Sequence, residues 1–207
     1  MLFTFSTPVS SALFAATLLI SLTGLWYRPS WVTGLALSPW RFWHDRQWHL
    51  VLTSGFVHAN MMHLAFNMIV FYYFCPVLEQ VMGSFHFAAL YLLALVLSDT
   101  STVYRYRDRP EYRSLGASGA LEGVVFSFIL FSPLTSFYLF FIPLPIPAFI
   151  FGILFLLYSY YESKRGRSFI NHEAHLLGAL TGIIYTVCWA PKVVPYFLQQ
   201  IAGFLGR

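Results

Sequence analysis

Six apolar runs, each near the length of a membrane crossing, follow one another along this chain, separated by polar connections. A bilayer span needs about 20 such residues, so the runs dictate a helical membrane protein rather than a core wrapped in water. They lie at roughly 9–27, 58–81, 84–103, 115–132, 137–160 and 174–191. Composition agrees: 58% of residues are hydrophobic and 10% charged, against about 25% charged in a soluble domain. Mean hydropathy is +0.66. The fifth run opens on "PLPIP", so its helix is firm only after Pro147. No internal repeat and no soluble domain is evident, and residues 1–207 read as one membrane domain. No basic region precedes the first run, so a cleaved signal peptide is not expected. Cys75 and Cys188 lie inside apolar runs, which suggests neither a disulfide framework nor a zinc site. The net charge of +4 is modest and calls for no nucleic-acid partner.

The connections alternate in character. Residues 28–57, 104–114 and 161–173 are long and charged, while the second and fourth loops are short and lack Lys and Arg. Trp31, Trp40, Trp43 and Trp48 crowd the first loop, as expected of an element lying in the membrane interface. Ten cationic residues (Arg28, Arg41, Arg46, Arg105, Arg107, Arg109, Arg113, Lys164, Arg165 and Arg167) sit on the side of these long loops, against Lys192 and Arg207 on the other. By the positive-inside rule the long loops are cytoplasmic and the N-terminus is outside.

Polar residues inside membrane helices are costly and mark function. Here they are His58, His63 and Asn67 in the second run, Ser118 and Glu122 in the fourth and His175 in the sixth, with Asp99 closing the third. The second, fourth and sixth runs all begin on the long-loop side, which sets these groups at a common depth of about 3–14 Å. His63 and Asn67 are four residues apart and share a helix face, as do Ser118 and Glu122. Gly119 and Gly123 on the fourth run, and Gly178 and Gly182 on the sixth, are small-residue stripes that let two helices approach closely. Such an approach would bring His175 within reach of the Ser118 hydroxyl. A serine beside an imidazole is an activated nucleophile, and His63, Asn67 and the Ser118 backbone N–H could serve a developing oxyanion. Each element alone has a packing explanation. His58, on helical geometry, falls on the opposite face from Asn67 and reads as structural.

The joint pattern "HANMMHLAFN" (His58 to Asn67), "GASG" (Gly116 to Gly119) and "AHLLGALTG" (Ala174 to Gly182) resembles the rhomboid intramembrane serine proteases over nearly the whole chain. The resemblance implies a six-transmembrane-helix bundle with a short central fourth helix. It implies a Ser118 nucleophile, a His175 general base, and His63 and Asn67 as oxyanion donors. Substrates would be single-span membrane proteins cut in or near their transmembrane segment, with no cofactor and no metal. It also implies a multi-pass protein of the cell membrane with a cytoplasmic N-terminus, the reverse of the charge count.

Two positions depart from the family. An aromatic residue usually stands four residues after the nucleophile and stacks on the histidine; here it is Glu122. A Trp-Arg pair often precedes the second helix; here it is Trp48-His49. Glu122 is a candidate to orient His175 and extend the dyad to a triad. The alternative is a catalytically impaired rhomboid-like pseudoprotease that binds membrane clients. A metal enzyme is a weaker alternative, because "HEAH" (His172 to His175) is one residue short of the zinc-protease spacing.

Overall fold

The computed structural model describes residues 6–139, 142–165 and 170–206. Arg167 and Arg207, both used in the charge count, lie outside the described residues. Helix α1 (Pro8–Trp26) leads into three short helices, α2 (Pro29–Leu35), α3 (Pro39–His44) and α4 (Leu50–Thr53), then a single 3-10 turn. The long helices α5 (Met61–Met82) and α6 (Ser84–Ser98) follow, the latter continued by α7 (Thr100–Arg105). Next come α8 (Ser118–Phe131), a hairpin of β1 (Ser136–Leu139) and β2 (Ile142–Pro147), then α9 (Ala148–Arg165), α10 (His172–Trp189) and α11 (Val193–Leu205).

Three stretches are long and apolar enough to cross a membrane among the described residues: α1, α5 and the pair α6–α7. A fourth is reached if α10 and α11, bent by 110°, count as one span; α8 is a shorter apolar helix. The packing is that of a membrane protein. On α1 the buried residues are Ser10, Thr17, Ser21 and Gly24, while Leu19 is 68% and Trp26 61% exposed. Small polar residues thus face the bundle and large apolar ones face outward, as helix contacts in lipid favour. This chain is an integral membrane protein of mainly helical fold.

Several boundaries differ from the sequence reading. Helix α5 starts at Met61 rather than 58, because the Asn60 side chain caps it by accepting from the His63 N–H at 2.9 Å. The fifth helix starts at Ala148, directly after Pro147, as the "PLPIP" stretch implied for a run drawn from 137. Prolines at 143, 145 and 147 deny a helix its N–H donors, and Ser136–Leu139 pairs antiparallel with Ile142–Pro147 instead. The sixth starts at His172, capped by Asn171, whose Oδ1 accepts from the Ala174 N–H. The tail beyond Pro191 forms α11, with Phe204 edge-on to Phe149 of α9.

Helix α8 is the hub, packed against α5, α6 and α10. At the glycines, its seam with α10 is backbone against backbone. A Cβ added at Gly178 would strike the Gly119 carbonyl, and one at Gly182 would strike that of Gly123. Gly119 and Gly123 also face α6, where added Cβ atoms would meet Ser98 and Ala94. Further along the seam, Ser127 and Thr186 hydroxyls bond at 2.6 Å. At the opposite end from the α8 N-terminus, buried Glu79 accepts from the N–H groups of Val9 (3.0 Å) and Ser10 (2.7 Å) and the hydroxyls of Ser10 (2.5 Å) and Ser84 (2.6 Å). It satisfies orphan donors at the start of α1 and ties that helix to the α5–α6 turn.

Candidate active site

Ser118 is the first residue of α8 and His175 the fourth of α10. With the two backbones in contact along the glycine seam, the His175 Nε2 lies 2.9 Å from the Ser118 Oγ. On the other edge of the ring, Nδ1 is 3.8 Å from Glu122 Oε1. The Phe155 ring of α9 lies nearly parallel to the imidazole, 13° between planes and 6.2 Å between centroids. All three side chains, Ser118, Glu122 and His175, are half-buried.

The segment leading into Ser118 is strapped down from several directions. Leu37 and Ser114 exchange backbone hydrogen bonds at 2.8 and 2.9 Å. The Gly116 N–H donates to the Ser54 carbonyl at 2.9 Å, and the Ser54 hydroxyl in turn reaches buried Asp99 at 3.5 Å. Gly116 has φ of +111°, a region that excludes side chains, and a Cβ there would lie 2.6 Å from His63 Cε1. This glycine therefore serves both the turn and the seat of the His63 ring.

His58 is fully buried. Its Nδ1 is 2.8 Å from the Ser21 hydroxyl, its Nε2 3.5 Å from the Ala117 N–H, and it pairs with the Asn67 side chain. It precedes α5 rather than riding on it, so the helical-angle argument does not hold; the ring sits on the Asn67 side. The structural assignment stands on these bonds, which pin the residue before Ser118 to α1. His63 meets His58 edge-on at 4.9 Å. The Asn67 amide donates to the His63 carbonyl at 2.9 Å, leaving its second N–H for another acceptor.

The rim is charged and aromatic. Arg105 pairs with Glu173, the Asn171 amide donates to the Thr102 hydroxyl at 2.6 Å, and Tyr106 stacks on Tyr112 at 3.7 Å. Burial, and then the neighbouring Tyr106, push the Tyr112 phenol up to about 12. A polar cavity of about 320 Å³ opens here, lined by Arg105, Tyr112, Glu162, Asn171, His172 and Glu173.

The sequence reading did not single out Phe155, Ser98 or Glu79. Phe155 lies in a run of aromatics with no distinguishing spacing. Glu79, near the far end of its helix, is a carboxylate in an apolar run, and that signal was there to be used.

The geometry thus places a serine and an imidazole in hydrogen-bond contact at one end of a helical membrane bundle. The chain belongs to the rhomboid family: residues 45–192 match the family model "Rhomboid domain". That family includes intramembrane serine proteases. The chain is 27% identical over 157 residues to "RHOMBOID-like protein 12, mitochondrial" of Arabidopsis thaliana, covering 69% of this chain and 46% of that one. It is 33% identical over 139 residues to "Presenilin-associated rhomboid-like protein, mitochondrial" of Rattus norvegicus, covering 65% and 36%. To "Rhomboid protein 1, mitochondrial" of Saccharomyces cerevisiae (strain ATCC 204508 / S288c) it is 27% identical over 139 residues, covering 65% and 40%. The chain thus spans less than half the length of these relatives. Their names give the expected cell-membrane location no support.

Proposed function

We propose that this protein is an intramembrane serine endopeptidase that cleaves single-span membrane proteins in or near their transmembrane segment. The observation that carries the reading is the 2.9 Å contact between Ser118 Oγ and His175 Nε2. In the proposed reaction the Ser118 oxygen attacks the scissile carbonyl while its proton passes to Nε2. The C–N bond then breaks as Nε2 returns that proton to the leaving amine. Water, deprotonated by the same nitrogen, cleaves the acyl-serine and restores the hydroxyl. The Ser118 N–H, the His63 ring and the Asn67 amide serve the oxyanion, each worth about 10²–10³ in rate.

The six-helix membrane domain implied by the family fits α1, α5, α6–α7, α8, α9 and α10 as its helices. All three site-bearing helices start on one side, so water reaches the site from that surface while lipid borders the bundle. We assign that side to the exterior or lumen. The arginines there are engaged in folded structure: Arg113 bonds Ser38 and the carbonyl of Pro110, Arg41 the carbonyl of Gly34, and Arg105 pairs with Glu173. Tags on both termini, tested for protease access from one side, check this.

The deciding experiment is labelling of the detergent-solubilised protein with a fluorophosphonate, beside Ser118→Ala and His175→Ala. Labelling lost in both variants is the expected result. A folded wild type that no serine-reactive inhibitor labels would favour the second reading, a pseudoprotease binding membrane clients, to which Glu122 in the aromatic's place points.

A further inference from the structure

We infer that Glu122 is a positioning residue for His175, extending the Ser–His pair to a relay of three; this rests on the protease reading above. The argument starts from proton inventory. To take the serine proton, Nε2 must offer its lone pair to the Ser118 hydroxyl at 2.9 Å, so the neutral ring carries its hydrogen on Nδ1. That hydrogen needs an acceptor, or the ring can exchange tautomers and lose the arrangement. The acceptor that faces it is Glu122 Oε1 at 3.8 Å. This is longer than a hydrogen bond, and catalytic contacts in unliganded sites are commonly long. Glu122 has three side-chain torsions with which to close the remaining distance of under about 1 Å.

The backbone makes the arrangement hard to avoid. Ser118 and Glu122 are one turn apart on α8, so a single helix face presents the nucleophile to one ring nitrogen and the carboxyl to the other. The contact of Gly178 with the Gly119 backbone and of Gly182 with that of Gly123 fixes the level of α10 against that face. Phe155, parallel to the imidazole, limits rotation of the ring out of this plane. With the flat partner supplied from α9, the position one turn after the nucleophile is left to a group that can accept a hydrogen bond.

The test compares Glu122→Met, which keeps reach but offers only a weakly accepting thioether, with Glu122→Gln, whose amide oxygen can still accept from Nδ1. The readouts are kcat, KM, the rate of phosphonylation by a fluorophosphonate, and Tm. The expected result for Glu122→Met is a loss of about 10²-fold in both kcat and phosphonylation with KM within threefold. Glu122→Gln should recover at least about tenfold over it. Phosphonylation of Glu122→Met within threefold of wild type overturns the inference. So does a Gln variant no better than Met, because a purely structural carboxyl would show equal losses tracking Tm. Where Glu122→Met does not fold, Glu122→Ala takes its place under the same criteria. Wild type and Ser118→Ala are run first: without Ser118-dependent labelling the protease reading fails, whereas labelling that ignores Glu122 removes only the positioning role.

Discussion

Gly178→Ala tests the claim that backbone contact between α8 and α10 sets the distance between Ser118 and His175. The added Cβ would lie 2.9 Å from the Gly119 carbonyl carbon and 3.2 Å from its Cα, and nearer still to its oxygen. Non-bonded carbons settle at about 3.5–4.0 Å. Every clashing atom is backbone, so no side chain can swing aside, and relief needs the helices to part by about 1 Å. Gly178 is one turn from His175, and Gly119 adjoins Ser118. The separation therefore falls on the 2.9 Å contact and opens it to about 3.9 Å, beyond hydrogen bonding. Misplacement by about 1 Å costs on the order of 10²-fold, or about 2.7 kcal/mol of barrier. Stability should fall by about 1–3 kcal/mol, as for other overpacked sites. The assay is the phosphonylation rate of folded, monodisperse protein beside its Tm. Gly203→Ala, where an added Cβ meets nothing within 4 Å, is the control and should match wild type. Wild-type phosphonylation by Gly178→Ala would refute the reasoning, since the helices would then have slack that the geometry denies them.

Other perturbations separate the site from its supports. Gly116→Ala puts a methyl against the His63 ring at a φ of +111°; kcat should fall about 10²-fold with the loss of one oxyanion donor, read in cleavage of a reconstituted transmembrane substrate. His58→Ala frees the Ser21 and Ala117 contacts and should cost about 2–3 kcal/mol of stability, seen as a lower Tm. Glu79→Gln points an amide donor at a ring of donors, and should cost about 2–4 kcal/mol. Glu79 lies at the other end of the bundle, so the fraction of Glu79→Gln that remains folded should be phosphonylated at the wild-type rate; a selective loss of rate would contradict that separation.

What could be read in advance was whatever the chain encodes by spacing along one helix. The pairs His63/Asn67 and Ser118/Glu122, and the glycine stripes, are local patterns, and the fold brings Ser118 of one such pair to 2.9 Å from His175. Boundaries were less legible. Asn60 and Asn171 each start a helix by a side-chain cap that hydropathy does not register, whereas the prolines of "PLPIP" did announce that the fifth helix begins only after Pro147. His58 shows the limit from another side: its angle on a helix was computed for residues that are not helical. Contacts between distant helices left a trace only where glycine stripes mark them. Nothing near Phe155 distinguishes it from the other aromatics of α9, and nothing near Ser98 announces that Gly119 needs its neighbour small.

These differences sort the site into a rigid and a compliant part. Ser118, Glu122 and His175 stand on α8 and α10, whose separation is fixed by backbone against backbone. His63 is seated against the bare Cα of Gly116 and the His58 ring, and Phe155 belongs to α9, which meets α8 through side chains such as Phe126 and Ile129 around Gly152. Side-chain contacts yield where backbone contacts do not. A displacement of α9 large enough to admit a substrate helix would therefore move Phe155 off the imidazole before it disturbed the Ser118–His175 contact. It follows that Phe155→Ala should weaken the hold on the ring without breaking the proposed dyad. The phosphonylation rate of that variant should fall by less than about tenfold, well short of the loss expected of Gly178→Ala. An equal loss in the two variants would mean that α9, and not the glycine seam, sets the geometry.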